Sequence, residues 1–331
     1  MFTANNPAEI FTLSDQKPLK PDDSLRGCNN NHFQPSFCTG YKLISRIFAK
    51  IFVLRTALII VCTFFLIVQV EAQRGWEVGA GVGVSHYFGD LNPDFDLGHP
   101  GPGASLLGRY NFNERIAVRF SFSFGIIDGD DARSDNSFQR ARNLSFKSNI
   151  WDLSTMLEFN FFRFEHGHRD YFFSPYVSAG LGAFHFNPKA KLDDTWHELR
   201  PLGTEGQRRG REYHAIQPAI VYGGGLKFSI NYRWSINVEI YGRWLFTDYL
   251  DDVSTTYPDP NQLRQQRGDI AVQLSDRSIE TEEFPRVGEP GRQRGDASQN
   301  DSFSFAIISI NYYFGQLDCP RISRPDLLYR R

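Results

Sequence analysis

Cysteine is scarce in this chain, methionine scarcer still, and a long apolar run occurs once. Of four cysteines in 331 residues, Cys28, Cys38 and Cys62 lie in the first 72. Only Cys319 follows, which excludes a framework of intrachain disulfides in the rest of the protein. Charge of one sign is missing too: beyond residue 72 there are 29 Lys and Arg against 33 Asp and Glu. That balance leaves no basic footprint for nucleic acid. Mean hydropathy is −0.39, and after Val70 no stretch is apolar enough for a second helical span. Alternating strands escape such a scan, so its silence says nothing against a membrane barrel.

The one apolar run sets the address. Arg46, Lys50 and Arg55 precede the mostly apolar stretch from Thr56 to Val70, and Val70-Glu71-Ala72 ends on a small residue. A positive start, an apolar middle and a small-residue end make a secretory signal peptide. Cleavage is expected after Ala72, giving Gln73 as the mature N-terminus. The rival is an uncleaved anchor, since Ile51 to Val70 approaches the ~20 residues of a spanning helix; Arg55 interrupts that run. Cys62 does not suit a lipoprotein site, because apolar residues continue past it. Residues 1–42 are polar and out of place before a signal peptide, and no Met lies between Met1 and Met156. One reading starts translation near Leu43 and makes the extension an artefact. A precursor peptide containing Cys28 or Cys38 would contradict it. The expected division is therefore 1–72 extension plus signal peptide, 73–314 barrel and 315–331 periplasmic tail.

Between Gln73 and Phe314 eight stretches alternate apolar and polar residues, separated by gaps that are alternately short and long. Period-two alternation gives each strand one apolar and one polar face. The stretches are Trp76 to Phe88, Ala104 to Phe112, Ile116 to Gly125, Trp151 to Phe161, Tyr176 to Phe186, Ala219 to Ile230, Trp234 to Phe246 and Phe303 to Phe314. Ile116, Val118, Phe120, Phe122 and Phe124 oppose Arg119, Ser121 and Ser123 most clearly. Short and long gaps in turn are what a membrane-crossing meander produces. This predicts an all-β fold: an eight-stranded antiparallel transmembrane β-barrel of outer-membrane type with long extracellular loops. An even strand count puts both termini on one side, the periplasm. Trp76, Trp151, Trp234, Trp244, Tyr110 and Tyr312 sit toward strand ends, where aromatic girdles belong. A lipocalin-like soluble barrel also alternates, but here the charge-free face carries Phe, Trp, Ile and Val, which water would not tolerate.

By this parity Arg109, Arg119, Lys227 and Arg243 face inward with Glu77, Asp152, Glu158 and Glu239. Buried charges must pair, and eight strands enclose a space that side chains can fill. The expectation is a plugged core without ion conductance.

Candidate chemistry is thin. Gly79-Ala80-Gly81-Val82-Gly83 superficially suggests a nucleotide loop, but its glycines recur within a strand, with no turn and helix after it. Small residues on a narrow barrel's inner face explain them better. His166 and His168 beside Glu165 read as a solvated turn rather than a metal site. Ser85 and His86 are adjacent and point to opposite faces, so they cannot form a hydrolytic pair, and His185 and His214 lack an evident partner. Asp248, Asp251 and Asp252 could bind a cation or a partner loop; a solvated loop base is the simpler reading. No catalytic, cofactor-binding or metal-binding residue is assigned, no cofactor is expected, and no enzyme is expected.

Several strings carry a family resemblance: SHYFGDLN at Ser85 to Asn92, FSPY at Phe173 to Tyr176 leading into Gly180-Leu181-Gly182, FNPKA at Phe186 to Ala190, PLGTEGQ at Pro201 to Gln207 and TDYLDDVS at Thr247 to Ser254. They resemble the PorG-like family of small outer-membrane β-barrel proteins associated with the type IX secretion system. The resemblance spans about Gln73 to Phe314. It implies a structural part of a protein-secretion machine, with periplasmic ring lipoproteins of the PorK and PorN kind as partners besides outer-membrane lipids, and no nucleic acid or small-molecule substrate. The turns at Asn113 to Arg115, Arg163 to Asp170 and Asn231 to Arg233 and the tail from Gly315 would face such a ring. A surface adhesin binding through its long loops is the alternative; an outer-membrane lipid hydrolase is a third reading.

Overall fold

The computed structural model describes residues 75–92 and 97–315. The expected signal peptide, its expected cleavage site and the expected tail beyond Gly315 lie outside these residues. The chain forms strands β1 (Gly75–Phe88), β2 (Gly101–Asn111), β3 (Ile116–Asp130), β4 (Ser145–Asn160), β5 (Phe173–His185), β6 (Pro188–Leu192), β7 (Thr195–Glu198), β8 (Ile216–Ser229), β9 (Trp234–Leu245) and β10 (Ser302–Tyr313). Short helices α1 (Ser137–Arg142), α2 (Pro260–Arg267) and α3 (Asp269–Ser275) interrupt the longer connections.

Eight strands close into an antiparallel barrel in the order β1-β2-β3-β4-β5-β8-β9-β10, with β10 returning to β1. The β6–β7 hairpin continues the wall above β5, and β6 pairs with the start of β4. Two tight links are built by asparagine. The Asn113 Oδ1 accepts from the backbone N–H of Arg115 and Ile116 at 2.8 Å each. Asn231 repeats the device with Arg233 and Trp234 at 2.9 and 3.0 Å. Such side chains mimic a backbone turn and reverse the chain in few residues.

Over most of the barrel the usual distribution of residues is inverted. Val82 and Leu181 are each 71% exposed, whereas inward-facing Arg109 and Glu158 are 0% exposed. A soluble protein buries the first kind and solvates the second. Trp234 and Trp244 stand on the same outward face of β9, ten residues apart. On a strand tilted as in such barrels, that spacing spans about 25 Å, the height of a lipid-facing band. At the lower edge Trp76 meets Tyr110 edge-on at 5.2 Å and Trp234 meets Tyr312 at 5.0 Å. The outer surface is built for acyl chains: this is a transmembrane barrel.

Above Trp151 and Trp244 the alternation changes phase. On β4, Phe146 and Ile150 point inward and are buried, while Lys147 and Asn149 point out and are exposed. On β10, Phe303 and Phe305, opposite Arg243 and Tyr241 just below this level, are buried as well. With Tyr87, Phe184, Phe186 and Leu245 they form one apolar core, onto which Leu91, Leu144, Leu199, Leu250, Val253 and Leu274 of the connections pack. Here the wall stands in water, so the core must be apolar. The expected strand limits are corrected accordingly: β3 and β4 run into the stretch read as a polar gap, the segment before Gln217 holds the β6–β7 hairpin, and residues 247–300 hold α2 and α3.

Candidate functional site

The lumen is filled from bottom to top. At the lower mouth the β4–β5 link folds inward. His166 is buried there and stacks on Tyr313, ring centroids 4.4 Å apart at 8°, with its Nε2 3.7 Å from Glu77 Oε1. The link is held by the Gly167 N–H donating to Ser229 Oγ at 2.9 Å. The histidine of a turn read as solvated is thus part of the seal, while His168 stays at the rim, stacked on Tyr171.

Above it all eight inward charges pair. Arg109 bridges Glu77 at 2.9 Å and Glu158 at 2.7 Å, and Lys227 reaches Glu158 at 2.7 Å. Arg119 forks onto both oxygens of Glu239 at 2.7 Å, and Arg243 meets Asp152 at 2.8 Å. Tyr176 donates to Glu239 Oε2 at 2.6 Å, Tyr241 accepts from Arg119 at 2.7 Å, and Ser235 donates to Glu77 at 2.8 Å. Charged groups out of water persist only when their hydrogen-bonding capacity is met this fully. The glycines of β1 serve the same packing: a Cβ at Gly79 would strike the Asn311 side chain, and one at Gly81 would strike Ile307 and Ser309. No room for a nucleotide exists along that strand. Arg243 then lies over Phe303 and Phe305 at 5.5 and 4.7 Å, where the ionic layer gives way to the apolar core.

The cap over that core is tied by two buried arginines. Arg142 donates to both oxygens of Asp131 at 2.7 and 2.8 Å and to the carbonyls of Arg294 and Asp90 at 2.7 and 2.8 Å. Arg294 donates to Glu205 at 3.0 Å, to the Asp252 carbonyl at 2.5 Å and to the Ser275 carbonyl at 3.2 Å. Glu205 also accepts from the N–H groups of Ser254 and Thr255 at 2.8 and 3.0 Å. Arg142 thereby ties the β1–β2, β3–β4 and β9–β10 connections together, and Arg294 ties the β9–β10 connection to the β7–β8 one, which explains how loops without regular structure stay folded.

The acidic run does not face solvent. Asp251 and Asp252 are 1% and 0% exposed. Asp252, at φ +68°, accepts from Thr204 Oγ1 and from Tyr213 Oη at 2.8 Å. Burial pushes its carboxyl up to about 6. Burial also pushes Asp248 up, to about 8. Asp251 accepts from Tyr87 Oη at 2.5 Å, and Asp301 lies 3.4 Å from the same hydroxyl. The solvated loop base is therefore corrected to a buried junction. Among the described residues no group of three or more His, Cys, Asp or Glu side chains is arranged to hold a metal ion.

Ser85 donates into the wall, to the Ile126 carbonyl at 2.7 Å, while His86 stands on the outer face. His185 is exposed on the outer wall, and the His214 carbonyl accepts from Gln217 Nε2 at 3.0 Å. Among the described residues a cleft of about 250 Å³ lies between Asp90, Phe138, Arg142, Arg294 and Asp296, below the ~300 Å³ at which ligand sites begin. Sequence reasoning missed Tyr87, Arg142, Glu205, Arg294 and Asp301. The signal for three of these connections was present: the strings Ser85 to Asn92, Pro201 to Gln207 and Thr247 to Ser254 meet at this junction through Tyr87, Glu205 and Asp251.

Among solved structures the chain is similar to Ail, the attachment invasion locus protein of Yersinia pestis, in complex with sucrose octasulfate: 12% identity over 73% of this chain and 99% of that one, TM-score 0.36. It is also similar to Neisserial surface protein A (9% identity, 74% and 100% covered, TM-score 0.37) and to OprG of Pseudomonas aeruginosa (10% identity, 75% and 100% covered, TM-score 0.35). The barrel assignment itself rests on strand order, register and surface. No curated protein matches the sequence. Residues 55–272, about two thirds of the chain, match the family described as Domain of unknown function (DUF6089), and the protein belongs to that family.

Proposed function

We propose that this barrel sits in the outer membrane of a Gram-negative bacterium, termini periplasmic, as a non-enzymatic structural or assembly component of a protein-secretion machine of the type IX kind. The observation that carries this reading is the lumen: four cations and four anions pair inside it, so transport through the wall is blocked and function falls to the two ends. The lower end offers short, rigid turns at residues 112–115 and 230–233 and the inward-folded link at 161–172, a firm base for a periplasmic ring. The strings shared with PorG-like proteins favour ring lipoproteins of the PorK and PorN kind as the partners. Crosslinking in intact outer membranes followed by pull-down tests this. Ring lipoproteins should be recovered, and deletion of the gene should stop secretion of proteins bearing a type IX C-terminal signal. Normal secretion with no ring protein recovered would contradict it.

A second reading, a surface-recognition barrel, is favoured by the folded cap, whose outer face carries exposed Arg208, Arg209 and Arg211 within one turn. Loss of surface attachment with intact secretion on deletion would select it.

A further inference from the structure

Eight acidic side chains gather where the cap meets the barrel, and the two buried arginines answer only part of that charge. Arg142 pairs with Asp131, and Arg294 with Glu205 and, more distantly, Asp252. Asp248, Asp251 and Asp301 have no cation within 4.0 Å among the described residues, although they are only 8%, 1% and 1% exposed. Asp251 and Asp301 share one hydroxyl, Tyr87 Oη, which has a single proton to give. That oxygen also accepts from the Leu91 N–H at 3.4 Å. Asp301 Oδ2 accepts from the Leu250 N–H at 2.9 Å, and Asp251 Oδ1 from the Val253 N–H at 2.9 Å. Asp248 Oδ2 is buried with no hydrogen-bond partner among the described residues. Gly89 leaves the space this needs, since a Cβ there would strike Asp301 and Tyr87. Two buried carboxylates on one phenol repel unless a second proton is present.

We propose that Tyr87, Asp251 and Asp301 form a proton latch: with one carboxyl protonated, the cluster ties residues 247–254 and the start of β10 to β1, and loss of that proton releases the cap from the barrel. The proton leaves to water, and no bond between heavy atoms changes. The charged and titratable groups facing the latch are Asp90 beyond β1, Arg142 on α1, Tyr213 before β8, and Asp248 beside Asp251. Glu205 and Asp296 face Asp248 in turn. Burial first, then the neighbouring acids, pushes Asp251 and Asp301 upward. A carboxyl raised in the folded state binds more protons folded than unfolded. Its stabilisation is therefore complete below the ordinary carboxylate range and is lost as pH rises through the folded value. Both latch carboxyls are raised, so the window of release lies above the ordinary carboxylate range.

The test is hydrogen exchange of the full-length protein in lipid nanodiscs from pH 5.5 to 8.5, with rates corrected for intrinsic chemistry. Protection of α2, α3 and residues 247–256 should fall about tenfold per pH unit for one linked proton, while β3 and β4 below Trp151 hold theirs. Asp301→Asn and Asp251→Asn, each neutral at every pH, should flatten that slope and keep the cap closed. Tyr87→Phe should leave it open already at pH 5.5. A wild-type slope under twofold across the range would overturn the proposal. So would an unchanged slope in the Asn variants, or loss of cap protection at all pH values in both.

Discussion

The lower and upper parts of this barrel use the same strands with opposite polarity. Below Trp151 and Trp244 the wall is apolar outside and mostly ionic inside; above them Lys147 and Asn149 face out while Phe146 and Ile150 face in. β4 makes the switch within four residues, from Ile150 inward to Asp152 inward, without a break in its pairing to β3. Backbone hydrogen bonds are indifferent to what surrounds the wall. The solvent on each side alone decides which residue type each face must carry, so the level of the switch marks where the bilayer ends.

The contrast predicts different responses to substitution, and the largest should come from the interior. Glu158→Ala takes from Lys227 its carboxylate and leaves Arg109 with Glu77 alone; it should cost about 3–5 kcal/mol, the usual consequence of leaving a buried charge unpaired. Phe303→Ala, in the apolar layer, should cost a similar ~3–5 kcal/mol through its cavity, read by equilibrium unfolding in liposomes. Next comes the wall: Leu153→Arg, inside the lipid-facing band, should cost about 2–4 kcal/mol, whereas Asn149→Arg, four residues up the same face, should stay within about 0.5 kcal/mol. Equal costs would erase the boundary placed at Trp151. Among buried positions the smallest effect belongs to the cap. Asp252→Asn keeps a residue that tolerates positive φ, leaves Glu205 on Arg294, and should change local exchange by less than about 1 kcal/mol.

What was legible in the sequence follows the same division. The alternation from Ile116 to Phe124 could be read because the membrane demands a charge-free face, and the eight lumen charges followed from parity alone. Above the membrane that signal reverses phase, so Phe146 falls within the polar gap expected at Asp128 to Lys147, and Ile127 and Ile150 fall outside the expected strands. The β6–β7 hairpin and helices α2 and α3 carry no long period; α2 mixes Asn, Gln and Arg around a single buried Leu263. Arg142 and Arg294 looked like ordinary loop charges, since their partners lie 11 and 89 residues away in the chain. The family strings at Ser85 to Asn92 and Thr247 to Ser254 marked the junction without saying that it is buried.

Conductance of the purified protein in planar lipid bilayers tests the central claim most directly. A lumen closed by His166 below, by paired charges through the membrane and by an apolar core above should pass no steady current at any holding potential. Stable, ohmic steps from the wild-type protein would contradict the account.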